Sequence, residues 1–559
     1  MLRDANVLDG TQLALRTVML RKSGRASLQH HSQVALAAGL SSIAFGVSIA
    51  RSRSLVHDDA FVLLRCVRNL LAGDGLVWNV GEAVEGYSSF SMAIFVSLGG
   101  VAGLDLLAAA RIVNLLAILT FSVWVARFCS RRSGNLSVLA GLVPVLLLWS
   151  FSSVATWTCG ALEAPLFASV VGVTTCSGWD LLDRPTRRGA IVTGLGLSLT
   201  VLTRPEGLFF VAFALVVATF KLQSTLRVLV ALLAAAGIPF LAHLVWRYSY
   251  YGEWLPNPVY AKLTGLPAGV SRFGWHYVGS FIAQPPFLFA FAIPVAAFAA
   301  WRNRTGRGGI VAVLVMAVGF TALVGVGGGD HMPEHRILLP IVALSVVLIG
   351  SAVAPLVGRL GSVGAGVLAF ALVANSAWTI TRLPNNRLDL AAHMGRRVGE
   401  HIRDRWPEGT LVALNTAGSV PYFADRYHYI DMLGLVDEHI AHRRIDAFRT
   451  PWQSVPGHSK GDGRYVLGRR PDVIILGGPD GWPGGAFLSD VELLESDDFK
   501  ANYRRVTEVV FSHDELATVT MPVLANSHLR TVVVPIGSFN FTYFERVGAG
   551  ELPVNLSSR

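Results

Sequence analysis

The chain is 559 residues long, 52% hydrophobic and only 15% charged. Its mean hydropathy of +0.50 is too high for a soluble protein of this size, so a mainly α polytopic membrane protein is expected. The net charge of +10 comes from short basic clusters between apolar runs, a pattern of membrane topology signals that excludes a nucleic-acid binder. Cys66, Cys129, Cys159 and Cys176 show no CxxC spacing, so neither a disulfide framework nor a thiolate metal site is expected.

The basic stretch Arg21-Lys22-Ser23-Gly24-Arg25 precedes the first apolar segment, Gln33 to Ala50, and puts the N-terminus in the cytoplasm. No small-residue cleavage site follows promptly, so the segment is expected to persist as a span. Ser88 to Gly103 is short and glycine-containing. If it crossed, Arg127, Arg131 and Arg132, then Arg184, Arg187 and Arg188, then Lys221 and Arg227, then Arg302, Arg304 and Arg307 would all fall outside, against the positive-inside rule. It is therefore expected to be a juxtamembrane or re-entrant helix. Spans then follow over Leu106 to Ala126, Ser137 to Ser150, Ala161 to Gly178, Ala190 to Thr203, Gly207 to Phe220, Leu226 to Trp246, Pro285 to Ala300, Gly309 to Gly325, Ile337 to Leu356 and Val363 to Ile380. That makes about eleven transmembrane helices in residues 1–380, some of them short.

Residues 381–559 change character. Strand-length runs such as Thr410-Leu411-Val412-Ala413-Leu414, Asp472-Val473-Ile474-Ile475-Leu476 and Thr531-Val532-Val533-Val534-Pro535 predict a small α/β domain. The odd number of spans leaves it on the extracytoplasmic side.

On that same side fall most of the polar residues that anchoring does not explain. His57-Asp58-Asp59-Ala60-Phe61 opens a loop that also carries Glu82, Glu85 and Tyr87; later loops add Glu163, Arg204, Glu206, Tyr251, Trp254, Asn257, Lys262, Asp330, His331 and Arg336. Adjacent carboxylates repel unless a cation, metal or substrate offsets them, so Asp58 and Asp59 are the first candidates for chemistry. Glycosyl transfer from a polyprenyl-phosphate sugar needs a carboxylate near the anomeric carbon or acceptor hydroxyl, and cations near the departing phosphate. Arg204, Lys262, His331 and Arg336 suit the second task. A single Arg at a span end is also an ordinary snorkelling residue, and the tyrosines and tryptophans at 246–254 fit an interfacial aromatic belt as well as a sugar platform.

Asp58-Asp59-Ala60-Phe61, with Asn69, Gly73-Asp74-Gly75-Leu76-Val77, Asn79, Gly81-Glu82 and Val84-Glu85-Gly86-Tyr87, resembles the first loop of the actinobacterial arabinofuranosyltransferase B family. Tyr250-Tyr251-Gly252 with Leu255-Pro256-Asn257 and Ala261-Lys262, Gly328-Gly329-Asp330 with Arg336, and Asp431-Met432-Leu433-Gly434-Leu435 extend the likeness. The resemblance implies a GT-C helical core with an extracytoplasmic C-terminal domain, in the plasma membrane of a bacterium. It implies decaprenyl-phosphoryl arabinofuranose as donor and the arabinan of arabinogalactan or lipoarabinomannan as acceptor. Asp58-Asp59 matches the acidic motif of GT-C enzymes, with Arg204, Lys262, His331 and Arg336 at the donor phosphate. Glu82, Glu85, Tyr87, Glu206, Tyr251, Trp254, Asn257 and Asp330 would meet sugar or acceptor. The family's net retention at the sugar leaves base and nucleophile both open for the aspartates. Another polyprenyl-phosphate sugar, such as mannose, is the alternative donor. A lipid-linked substrate transporter ranks lower because the acids cluster in outer loops and no internal repeat is present. Asp58, Asp59, Asp330 and His331 are all oxygen or nitrogen ligands, but no spacing assigns a divalent metal; neither a cofactor nor an oligomeric state follows from the sequence.

Overall fold

The computed structural model describes residues 36–548 apart from 37, 134–137, 224, 268–269, 284–293, 295–306, 358–361, 384–386, 483, 511–514 and 524–527. The chain is a mainly helical polytopic membrane protein with a sheet-containing region near its C-terminus. Among the described residues, Leu106–Arg132, Leu226–Tyr251, Arg307–Val326 and Pro333–Val353 are long and apolar enough to cross a membrane singly. The pair Val138–Trp149 and Ser152–Cys159, bent by 63°, forms a fifth candidate. Helices also stand at Ala164–Asp183, Arg187–Thr203, Gly207–Leu222 and Ser362–Arg382, where spans were expected. Two of these, of 17 and 16 residues, reach only ~25 Å, short of the ~30 Å hydrocarbon core. The expected span at Pro285 to Ala300 lies, but for residue 294, outside the described residues. Ser88 to Gly103 yields a helix of only 12 residues, Phe90–Val101, capped by Ser89. At ~18 Å it is too short to cross alone.

The helices are pinned at both ends by charge. At one end Arg131 and Arg132 reach Asp180 at 2.8 and 2.6 Å, and Arg132 reaches Asp183 at 2.6 Å. At the other, Arg204 bonds Glu163 and Glu206. The turn between Cys159 and Ala164 leaves backbone carbonyls that lipid cannot satisfy, so protein must. Arg111 Nε donates to the Cys159 carbonyl at 2.8 Å and Asn114 Nδ2 to that of Leu162 at 2.9 Å.

Among the described residues the C-terminal region contains eight strands: β1 (Arg387–Leu388), β2 (Leu411–Leu414), β3 (His428–Asp431), β4 (Val473–Ile475), β5 (Tyr503–Val510), β6 (Glu515–Val523), β7 (His528–Ile536) and β8 (Phe539–Arg546). The three runs expected as strands are β2, β4 and part of β7. Five strands form one sheet in the order β3-β2-β4-β8-β5, with β3, β2 and β4 parallel and β8 antiparallel to both neighbours; β1, β6 and β7 form a second sheet. In an open sheet with parallel strands, ligands gather outside the carboxyl ends of those strands. Here the loops leaving β2 (Asn415 to Gly418), β3 (Met432 to Leu435) and β4 (Leu476 to Phe487) all issue from that edge, and it faces the helical half.

Candidate active site

The helix Asp58–Ala72 begins at His57, whose backbone is extended and whose Nδ1 accepts the Asp59 N–H at 3.3 Å. Two acids in the first turn suit the partial positive charge of unpaired N–H groups there. Successive helical residues point about 100° apart, so the two carboxylates face different surroundings.

Asp58 turns into the C-terminal region. Its Oδ1 accepts the Ser419 N–H at 2.8 Å and the Ser419 hydroxyl, and its Oδ2 accepts the Gly418 N–H at 3.2 Å. Burial pushes its carboxyl up to about 6, against the lowering pull of the Ser419 bonds. A Cβ on Gly418 would overlap the Asp58 backbone and carboxylate, so only glycine permits this approach.

Asp59, 31% exposed, instead stands where two cavities meet. The larger, about 490 Å³, lies between the first-loop helix and the loops from β2, β3 and β4. The smaller, about 60 Å³, is lined by Glu163, Arg204, Tyr87, Lys262 and Arg336. Asp59 and Lys262 border both. Burial alone would raise the Asp59 carboxyl; His57, Lys262 and Arg336, with His331 in acid where its ring is protonated, hold it well below the usual carboxylate range. It is an anion at every physiological pH.

The cations differ in what they have left to offer. Arg204 is occupied: Nε and Nη2 bond Glu206 at 3.2 and 2.8 Å, and Nη1 bonds Glu163. Arg336 gives only Nε, to Asp330 Oδ2 at 2.9 Å, and its other nitrogens have no acceptor among the described residues. Lys262 is half-buried and has no ion-pair partner among them. Burial pushes His331 down to about 4 and His458 down to about 3, so both rings in the wall of the large cavity are neutral at pH 7. Arg336 is aimed by a strained stretch. Glu334 and His335 adopt φ of 58° and 50°, sparsely populated values for non-glycine residues. They are held there by Ser152 to Glu334 at 2.6 Å, Arg387 to Glu334 at 2.9 Å and Ser280 to His335 at 2.8 Å.

The structure thus gathers Asp58, Asp59, Arg204, Lys262, His331 and Arg336 around the two cavities, with Asp330 fixing Arg336. Others form the frame. Glu85 is buried against Arg247, Tyr251 donates to the Leu76 carbonyl at 2.6 Å and meets Tyr87 at 3.2 Å. Asn257 Nδ2 reaches the carbonyls of Gly434 and Leu435, both at 3.0 Å. Glu82, Glu206 and Trp254 border neither cavity: Glu82 bonds Asn79, Glu206 is spent on Arg204, and Trp254 stacks on Tyr248 at 4.3 Å. The motif Asp431-Met432-Leu433-Gly434-Leu435 is also framing, since Asp431 accepts the N–H groups of Leu433 and Val436 at 3.0 and 2.9 Å.

Sequence reasoning missed the far wall. Asp389, Trp452, His458, Asp480, Trp482 and Phe487 all line the large cavity, and Asp389 Oδ2 stands 3.3 Å from His57 Nε2. An adjacent-pair search could not reach them. The clusters of aromatics and glycines in Gly477-Gly478-Pro479-Asp480-Gly481-Trp482 were the available signal. For a metal, the ligand atoms of Asp58, Asp59, Asp330 and His331 do not converge; the one convergent group among the described residues is Glu253, Glu438 and His442, outside the site.

Three comparisons bear on this arrangement. A family model described as a domain of unknown function, DUF8728, matches residues 385–528. In sequence the chain is similar to a terminal β-(1→2)-arabinofuranosyltransferase of Mycobacterium tuberculosis, 29% identical over 226 residues, covering 38% of this chain and 35% of that one. A terminal β-(1→2)-arabinofuranosyltransferase of Corynebacterium glutamicum is 26% identical over 339 residues, covering 52% and 47%. The chain matches less than half the length of these curated relatives. In structure it is similar to ArnT from Cupriavidus metallidurans bound to undecaprenyl phosphate, with a TM-score of 0.50 and 13% identity over 71% of this chain and 85% of that one. The fold is of GT-C type, as the first-loop motif led one to expect.

Proposed function

We propose that the protein is an extracytoplasmic membrane glycosyltransferase that moves arabinofuranose from decaprenyl-phosphoryl arabinose to arabinan of the cell envelope. The supporting observation is the position of Asp59: an ionised carboxylate at the junction of a small cationic cavity and a large open one, on a GT-C fold. Residues 1–380 would carry the transfer machinery and 381–559 would complete the site from outside.

The donor phosphate would sit against Lys262, which has no ion-pair partner among the described residues, and against the Arg336 nitrogens that its bond to Asp330 leaves free. Arg204, neutralised by Glu163 and Glu206, is a positioning residue in this scheme. The bond between the anomeric carbon and phosphate oxygen breaks, and its electron pair leaves with the phosphate. A base works best with a pKa near ambient pH. Asp59 lies far below, so it faces the electron-poor anomeric carbon rather than taking a proton. The acceptor hydroxyl forms the new bond and passes its proton to the departing phosphate, whose second pKa is about 6.

Membranes carrying the protein are given radiolabelled decaprenyl-phosphoryl arabinose and a synthetic arabinan oligosaccharide. Asp59→Asn is expected to lower transfer by about 10²–10³-fold, the scale of losing one preorganised charge. Unchanged transfer by Asp59→Asn would remove the carboxylate from the mechanism. Transfer from a mannosyl lipid, and none from the arabinosyl lipid, would reassign the sugar.

A further inference from the structure

The transfer scheme uses one wall of the large cavity and leaves the other without a task. That far wall is aromatic and polar together. Trp452, His458 and Phe487 stack into one unit, with centroids 5.8 Å apart for Trp452 and His458 and 5.6 Å for His458 and Phe487, the latter nearly parallel at 19°. Trp482 stands apart from this unit on the loop leaving β4 and is 59% exposed, an unusual state for a tryptophan outside the membrane zone.

That exposure is built in. Gly477, Gly481 and Gly485 have φ of 66°, 73° and 66°, values that side chains resist. A Cβ on Gly481 would overlap the Thr542 carbonyl, and one on Gly484 would overlap the Trp482 ring itself. The loop is thus locked against β8, and the indole rests against Gly484 while more than half of the residue stays exposed. Polar groups flank it. Asp480 and Thr416 are half-buried in the same wall, and Asn415 Oδ1 and His458 Nδ1 are buried there without a partner among the described residues.

Flat aromatic faces beside hydrogen-bonding groups match a ligand with C–H faces and many hydroxyls. The carboxylates of Asp389 and Asp480 exclude a phosphate headgroup from this wall, and their charge excludes an acyl chain. We propose that Trp482, with the Trp452, His458 and Phe487 unit, is the seat of a neutral glycan: the acceptor, presented to Asp59 from the far side of the cavity. This inference rests on the transferase reading of the same site.

The test uses full-length protein in nanodiscs and a synthetic arabinofuranosyl oligosaccharide, with binding read by calorimetry. Trp482→Ala is expected to weaken binding at least about tenfold and Trp482→Phe to stay within about threefold, since phenylalanine keeps a ring face. Binding of decaprenyl phosphate by the same samples checks that the variants are folded. Equal glycan affinity in the parent and Trp482→Ala overturns the seat, as does binding of an unglycosylated peptide in place of the glycan. If the parent transfers arabinose yet Trp482→Ala keeps its acceptor affinity, the seat fails and the transferase reading survives. If the parent binds an oligomannoside through Trp482 and no arabinoside, the seat stands and the arabinan reading falls.

Discussion

Asp58 poses a contest between burial and hydrogen bonding that pH can decide. Its oxygens take two backbone N–H groups and a hydroxyl, which favours the anion, yet burial raises the carboxyl from 3.8 to about 6. The sign follows from proton linkage. With the folded value above the unfolded one, the native state binds the extra proton between pH 4 and 6, so stability from this group falls as pH rises through that window. The full shift of about two pKa units corresponds to about 3 kcal/mol, of which about half is already present at pH 5. Asp58→Asn cannot ionise and lacks this slope. It keeps one acceptor oxygen but turns its amide toward a backbone N–H, a pH-independent cost of about 1–3 kcal/mol. The difference in stability between variant and parent should therefore favour the variant more at pH 7.5 than at pH 5, by about 1–2 kcal/mol. Thermal unfolding in detergent, parent and variant side by side at both pH values, reads this as a shift in the difference between their Tm values. A difference that is equal at the two pH values, or that favours the variant more at pH 5, refutes the reasoning and means that the three donors win over burial.

Other consequences are open to measurement. Arg336→Gln strips Asp330 of its buried partner and should cost about 3–5 kcal/mol; adding Asp330→Asn should restore much of the Tm while transfer stays lost, and recovery of transfer would argue against a phosphate role. Asn257→Ala leaves the Gly434 and Leu435 carbonyls without their shared donor, so a loss of about 1–3 kcal/mol is expected in thermal unfolding. Gly418→Ala pushes a methyl group into Asp58; limited proteolysis should then release the C-terminal region faster than in the parent, and an unchanged digest would contradict the tight junction.

The membrane half was legible because its signals are local. Apolar runs, basic clusters and the His57-Asp58-Asp59 motif are each read within a window, and helices do stand at Leu106–Arg132, Leu226–Tyr251 and Arg307–Val326. The strands β2 and β4 were legible for the same reason. What a window does not contain is partnership. Asp58 and Asp59 look alike in sequence, and only the packing of Ser419, 361 positions later, separates a clamped carboxylate from an open one. Arg204 looked as available as Arg336 until Glu163, 41 positions earlier, was found on it. Trp254 and Trp482 are equally conspicuous as letters; one stacks on Tyr248 and the other is set on a glycine-locked loop over the cavity.

The bond between Asp58 and Ser419 also sets an order of events during synthesis. The first-loop helix emerges some 360 residues ahead of the strands that complete its surroundings, so for most of translation and translocation Asp59 and its cations face an unfinished chamber. A nascent chain therefore inserts its helices before any enclosed site exists. The segment that closes the chamber is made only after the helix it closes against.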